Sequence, residues 1–215
     1  MLSNIFPKIH KEGYKFVAIS ILVTFIVLFF SNFIGSLLIL ITVWVYYFFR
    51  DPERYSINDD RYLVSPADGL ITDISEKSGP EELRLENTSF TRISVFMNVF
   101  NCHVNRIPSS GKVEEIYYKP GKFLNASLDK ASEENERNYF KIKLSNGEEI
   151  IIVQIAGLIA RRIVCEVEQG QKLKQGDRIG MIRFGSRVDI YFKNKKVLAQ
   201  LGQNVVAGES LLASE

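Results

Sequence analysis

The chain has 215 residues, with 27 Lys and Arg against 25 Asp and Glu, and a formal net charge of +2. That balance excludes a protein whose main partner is a polyanion such as nucleic acid, because such binding needs clustered excess positive charge. A hydrophobic share of 46% beside 24% charged residues excludes a disordered chain.

In chain order, the first element is an apolar block from Phe16 to Phe49 that carries no charge. Ser31-Asn32 and Gly35-Ser36 interrupt it, which predicts two arms, Phe16 to Phe30 and Leu37 to Phe49. A straight spanning helix needs about 20 apolar residues, so the block is long for one span and short for two. It reads as a helical hairpin that dips into a membrane and returns, within an N-terminal segment of residues 1–50. Lys8, Lys11 and Lys15 before the block and Arg50 and Arg54 after it predict that both flanks stay cytoplasmic. The rivals are a single tilted span, and a cleaved signal peptide, for which Phe48-Phe49-Arg50-Asp51-Pro52 offers no small-residue cleavage site.

Residues 51–215 read as one charged, strand-rich domain. Short runs of β-formers lie at Leu70–Ile74, Arg92–Phe100, Tyr139–Leu144, Glu149–Ile155, Arg162–Val167 and Val188–Phe192, separated by Gly, Pro, Asn and Asp. The stretch from Asn125 to Asn138, rich in charge, reads as an exposed loop or frayed helix. Cys102 and Cys165 are too few to staple an extracellular domain of this size, and they form no C-x-x-C pair. With His103 the one histidine of the domain, no metal site is expected.

Two internal repeats sharpen the fold. Pro66-Ala67-Asp68-Gly69-Leu70-Ile71 through Ile74 matches Pro108-Ser109-Ser110-Gly111-Lys112-Val113 through Ile116, and Gly170-Gln171 through Ile179 matches Gly202-Gln203 through Leu211. Each reads as a strand meeting a tight turn, with glycine where positive φ or close approach is required. Together they predict a mainly β protein, a compact β-sandwich with quasi-twofold hairpins similar to the lipoyl and biotinyl carrier fold.

Three places carry candidate chemistry. Asp68 sits in the turn Ser65-Pro66-Ala67-Asp68-Gly69, where an acid most often satisfies backbone N–H groups. His103 follows the apolar run Phe96-Met97-Asn98-Val99-Phe100-Asn101-Cys102 and precedes Arg106, and a histidine so placed is more often a hydrogen-bonded core residue than a catalyst. Gly185-Ser186 is embedded in the strand-like run Arg183 to Asp189, where glycine usually marks a bulge.

Taken jointly, Phe49-Arg50-Asp51-Pro52, Ser65-Pro66-Ala67-Asp68-Gly69, Phe96 through Arg106 and Phe184-Gly185-Ser186-Arg187-Val188-Asp189 resemble the phosphatidylserine decarboxylase proenzymes, in particular the short members with an N-terminal hydrophobic segment. The resemblance implies self-cleavage between Gly185 and Ser186 into a long β chain, 1–185, and a short α chain, 186–215, which stay together as a heterodimer. It implies conversion of Ser186 into a covalent pyruvoyl group, which forms a Schiff base with phosphatidylserine and releases CO2 and phosphatidylethanolamine. Decarboxylation leaves a carbanion, so an electron sink joined to the substrate amine is what the reaction needs.

Within that reading the Ser186 hydroxyl needs a base, which His103 supplies and Asp68 orients. His103 also returns the proton to the carbanion. Longer members of the family carry H-x-x-H, whereas here the second position is Arg106, so His103 alone is available for both tasks. Arg106, and more weakly Arg187, are candidates to bind the substrate phosphate or carboxylate. The implied partners are a serine phospholipid and the cell membrane, with the catalytic domain on the cytoplasmic side. Higher homo-oligomers and an ether-lipid substrate are left open. The rival of another class is a membrane-tethered carrier or adaptor without catalysis, but the turns at Gly176 and Gly208 lack the modifiable lysine of such modules.

Overall fold

The computed structural model describes residues 7–124, 133–157, 162–183 and 186–215. The chain divides into two compact units, Met1–Glu53 and Arg54–Glu215.

The first unit holds two helices, Tyr14–Leu28 and Asn32–Phe48, that pack side by side. Their polar atoms turn inward. The Thr24 and Thr42 hydroxyls lie 2.9 Å apart, and each also reaches a main-chain oxygen of the facing helix, Leu38 and Ser20 respectively. Apolar side chains point outward, with Phe29, Phe30 and Phe33 each about three-quarters exposed or more. Only one of the two interruptions expected from sequence breaks the helix. Ser31 is an N-cap whose hydroxyl accepts the Ile34 N–H, whereas Gly35 and Ser36 lie inside the second helix. Gly35 is there for approach, since a Cβ would collide with the Leu28 side chain. Neither helix is long and apolar enough to cross a membrane.

The second unit is mainly β. Its strands are β1 (Tyr62–Val64), β2 (Gly69–Ser78), β3 (Ser89–Met97), β4 (Val104–Arg106), β5 (Gly111–Lys119), β6 (Arg137–Leu144), β7 (Glu149–Ala156), β8 (Arg162–Cys165), β9 (Lys172–Leu173), β10 (Arg178–Arg183), β11 (Ser186–Phe192), β12 (Lys196–Val197), β13 (Asn204–Val205) and β14 (Leu211–Ser214). An eight-stranded antiparallel sheet runs β13-β2-β3-β11-β7-β6-β5-β9, accompanied by two three-stranded sheets, β1-β14-β12 and β4-β10-β8. Side chains alternate across each strand. Ile93, Val95, Phe140, Ile142, Ile152, Val188 and Ile190 fill the main core, while Tyr139, Ile151, Val153 and Ile155 form a smaller cluster on the other face.

The repeats seen in sequence are a quasi-twofold in space. β13 pairs β2 with Val205 opposite Gly69, as β9 pairs β5 with Leu173 opposite Gly111. Bulges fall at matching places, Ile71/Asp73 and Val113/Glu115. The two matched turns exchange backbone hydrogen bonds, Val64 N–H to Pro108 O and Arg106 N–H to Pro66 O, each 2.9 Å. Gly176 and Gly208, both at positive φ, meet near the axis, where a Cβ on Gly208 would stand 3.6 Å from the Gly176 Cα. One half is β1–β3 with β11–β14. The other is β4–β10, an uninterrupted piece of chain inserted between Met97 and Ser186.

The expected exposed loop from Asn125 to Asn138 needs correction where it is described. Residues 125–132 lie outside the described residues, but Asn135, Glu136 and Asn138 are buried and β6 begins at Arg137. The charge-rich sequence hides why: the Asn135 amide donates to Leu124 O and Ala156 O, and Glu136 Oε1 accepts the Ile163 N–H. Polar side chains there serve backbone groups inside the fold.

Candidate active site

The inserted half creates the site. In β4–β10 the strands β6 and β7 are joined by an ordinary tight turn, with Gly147 N–H on Leu144 O at 3.0 Å and Gly147 at φ +88°. At the matching place in the other half, Met97 of β3 pairs with Ser186 of β11, but the chain between them makes the whole excursion through β4–β10. Its outward leg is residues 98–103, and it returns after Arg183. Beyond the outward leg β4 pairs with β10, and the His103 carbonyl accepts the Ile182 N–H at 3.3 Å. Topology thus sets His103 beside the end of β10, four residues before Ser186.

Ser186 is the first residue of β11 and is fully buried, on the face shared with Val188, Ile190 and Phe192. It lies between Met97 on β3 and Ala156 on β7. Its Oγ has no hydrogen-bond partner among the described residues. A hydroxyl stripped of water and left unpaired costs about 1–3 kcal/mol, so the fold tolerates it at a loss. Gly185, the other side of the expected cleavage bond, lies outside the described residues, as does Phe184.

The outward leg is braced by asparagine side chains. Asn101 Oδ1 accepts the Asn98 N–H at 2.9 Å and Asn98 Oδ1 accepts the Phe100 N–H at 2.8 Å. His103 follows, fully buried, with Nδ1 3.0 Å from the Asn101 carbonyl oxygen. A carbonyl only accepts, so Nδ1 carries the hydrogen, and in the neutral ring Nε2 is left with the lone pair. That is the tautomer a proton acceptor requires.

Asp68 is nearly buried at the entrance to β2. Its Oδ1 accepts the Ala207 N–H at 2.8 Å, and its Oδ2 accepts Arg54 Nη2 at 2.7 Å. Its turn is tied to β4 by the bond from Arg106 N–H to Pro66 O. Arg106 is buried beside the quasi-twofold axis, where Nη1 donates to Gly176 O at 2.7 Å.

Arg187 projects from the face of β11 opposite Ser186, as strand alternation requires. Its Nη2 donates to Asp189 Oδ2 at 3.0 Å and its Nε lies 2.9 Å from Asp189 Oδ1. Arg92 Nη1 lies 3.8 Å from Asp189, and Arg92 Nη2 donates to Asp73 at 2.8 Å. Burial opposes ionisation of Asp73, but hydrogen bonds from Ser75 and Arg92 outweigh it and hold its carboxyl below the ordinary range. Arg92, Arg187 and Asp189, with Arg137, Tyr139 and Tyr191, line a cavity of about 320 Å³. Burial raises both phenols, Tyr191 to about 12.

The structure thus sets the His103 carbonyl on Ile182, four residues before Ser186, ties the Asp68 turn to β4, which begins just after His103, and sets Arg187 on the far face. Sequence reasoning passed over Asn105, two residues after His103 and fully buried. The available signal was a buried amide between Val104 and Arg106 in a three-residue strand.

The family model for phosphatidylserine decarboxylase matches residues 41–213. A phosphatidylserine decarboxylase proenzyme of Pelagibacter ubique (strain HTCC1062) is 64% identical over 215 residues, covering 100% of both chains. Proenzymes of the same description from Rickettsia akari (strain Hartford) and Rickettsia prowazekii (strain Madrid E) are each 48% identical over 212 residues, covering 98% of this chain and 92% of theirs.

Proposed function

The chain belongs to the phosphatidylserine decarboxylase family, and we propose that it is a self-processing carboxy-lyase that converts phosphatidylserine to phosphatidylethanolamine and CO2. The observation that carries the reading is the buried Ser186 hydroxyl, without a partner among the described residues, at the point where a hairpin has been opened.

In maturation, His103 Nε2 takes the Ser186 proton while Oγ attacks the Gly185 carbonyl carbon. The new C–O bond replaces the C–N bond, and the proton passes to the freed Ser186 nitrogen. Loss of the Ser186 α-hydrogen to base then expels Gly185 as a carboxylate and leaves dehydroalanine, and water replaces its nitrogen as ammonia. The resulting pyruvoyl group, held at the head of β11 between Met97 and Ala156, supplies the electron sink joined to the substrate amine. Burial of Ser186 excludes water from the acyl shift, and the same His103 returns a proton to the substrate carbon once CO2 has left. Asp68, fixed by Ala207 and Arg54, sets the turn against which β4, the strand after His103, is registered. Arg106 is the guanidinium assigned to the phosphate or carboxylate of the headgroup, on the strand that follows His103. Arg187 acts from across the sheet, steadying β11 through Asp189.

The paired helices are read as a membrane hairpin. A helix of 15 residues spans about 22 Å at 1.5 Å per residue, short of a hydrocarbon core of about 30 Å. Inward hydroxyls and outward phenylalanines suit entry into lipid without crossing it, and the basic flanks favour the cytoplasmic side. The reciprocal exchange between the two halves supports kinship with the lipoyl and biotinyl carrier architecture.

The test is mass and carbonyl content. Purified protein is expected as two fragments on a denaturing gel, 1–185 and 186–215, the smaller with a blocked N-terminus that reacts with a carbonyl-trapping reagent. A permanently intact wild-type chain, or one that reads freely from Ser186 on Edman degradation, would refute the reading.

A further inference from the structure

The core face around Ser186 holds a chain of side-chain amides that packing alone does not require. Asn138 Nδ2 donates to Gln154 Oε1 at 3.2 Å, and Gln154 Nε2 donates to Asn105 Oδ1 at 2.8 Å. All three residues are buried. The direction of donation is set along the chain, so Asn105 is left with its NH2 group at the free end. The neighbour of that group is the Met97 sulfur at 3.7 Å, a weak acceptor.

Two registers place this end. Met97 lies opposite Ser186 on one side of β11, and Gln154 lies opposite Val188 on the other. A side chain that touches both Met97 and Gln154 overlies β11 between Ser186 and Val188. Ser186 Oγ, buried on the same face and without a partner among the described residues, is the unmet acceptor beneath it.

The quasi-twofold shows what the fold itself asks for at these positions. Leu63 stands three residues before Pro66, as Asn105 stands three before Pro108. Phe192 pairs with Thr91, which pairs with Glu76, just as Gln154 pairs with Asn138, which pairs with Tyr118. Leu63 and Phe192 are fully buried core residues. At the sites of Asn105 and Gln154 the other half therefore has hydrocarbon, while Thr91 stands where this half has Asn138.

We infer that Asn105 is a positioning residue for Ser186: its amide is the donor that Oγ takes up as it moves to attack, holding the oxygen while leaving the hydroxyl hydrogen to the base. The inference rests on the self-processing reading and deepens it. Asn138 and Gln154 keep the amide turned the right way. After conversion of Ser186 the same N–H faces the new carbonyl.

The test compares wild type, Asn105→Leu and Asn105→Asp in the full chain. Leucine is the residue the fold already accepts at the matching site, and aspartate keeps the shape but, ionised, has no hydrogen to donate. Both variants are expected to cut about tenfold more slowly or worse, the scale of one neutral hydrogen bond, with thermal unfolding close to that of uncut Ser186→Ala. Hydroxylamine, which cleaves an ester, is expected to release no extra fragment, because the acyl shift is the slowed step. Wild-type cutting rates in a folded variant, or an accumulated hydroxylamine-sensitive ester, would overturn the assignment. If Asn105→Leu fails to fold, Asn105→Asp decides. A wild-type chain that never cuts would instead refute the self-processing reading, so the two failures are distinct.

Discussion

At the scale of single residues, the candidate site turns on a histidine and a serine. His103 sets Nδ1 against the Asn101 carbonyl, which fixes the tautomer with the lone pair on Nε2. Ser186 spends its hydroxyl on nothing among the described residues. His103→Ala is therefore expected to slow maturation by at least about 100-fold, the lower end for loss of a general base, measured as fragment released with time. Any matured fraction should turn over more slowly as well. A variant that matures and decarboxylates at wild-type rates would remove the imidazole from the mechanism. Ser186, His103 and Asp68 were legible because each is an odd residue in its surroundings. Asn105 was not, since its meaning depends on which strands flank β11 and on the matching apolar residues of the other half.

At the scale of elements, legibility followed length. The runs around β2, β3, β6, β7 and β11 carry enough alternating β-formers to be read. β9, β12 and β13 are two residues each, too short to hold a period, and exist because a partner strand offers hydrogen bonds. Glycines were more informative at the turns. Gly69 opens β2 where a Cβ would collide with the Phe96 carbonyl oxygen. Gly69→Ala must displace backbone of a central strand and is expected to cost about 1–3 kcal/mol, read as a lowered urea midpoint. Alkaline pH probes the opposite face of β11. Tyr191 loses its proton near 10 when unfolded and near 12 when folded, because burial disfavours the phenolate. Between those values the unfolded chain holds fewer protons. Its contribution is intact below about pH 10 and falls away as pH rises toward 12. Tyr191→Phe should flatten that decline, and an unchanged slope of unfolding temperature against pH would count against a buried phenol.

At the scale of the whole molecule, the internal repeats announced the quasi-twofold, but nothing in them said which half interrupts the other. That relation follows from pairing between Met97 and Ser186, positions far apart in sequence. It bears on what the cut does. The 186–215 fragment contributes β11, which lies inside the eight-stranded sheet between β3 and β7. After cleavage the fragments share a core and are expected to elute together by size exclusion at neutral pH, separating only in denaturant. Elution of a free small fragment would contradict the interlocked sheet.

The opened hairpin also has a temporal meaning. Contacts between distant stretches of sequence form late, since a long loop must close before they repay its entropy. The seam that seats the nucleophile is such a contact, and its two edges enclose an entire half of the domain. An unfinished chain thus has no assembled scissors. Release of the C-terminal piece becomes a timestamp for correct folding, and a slow or misfolded precursor should betray itself by staying whole.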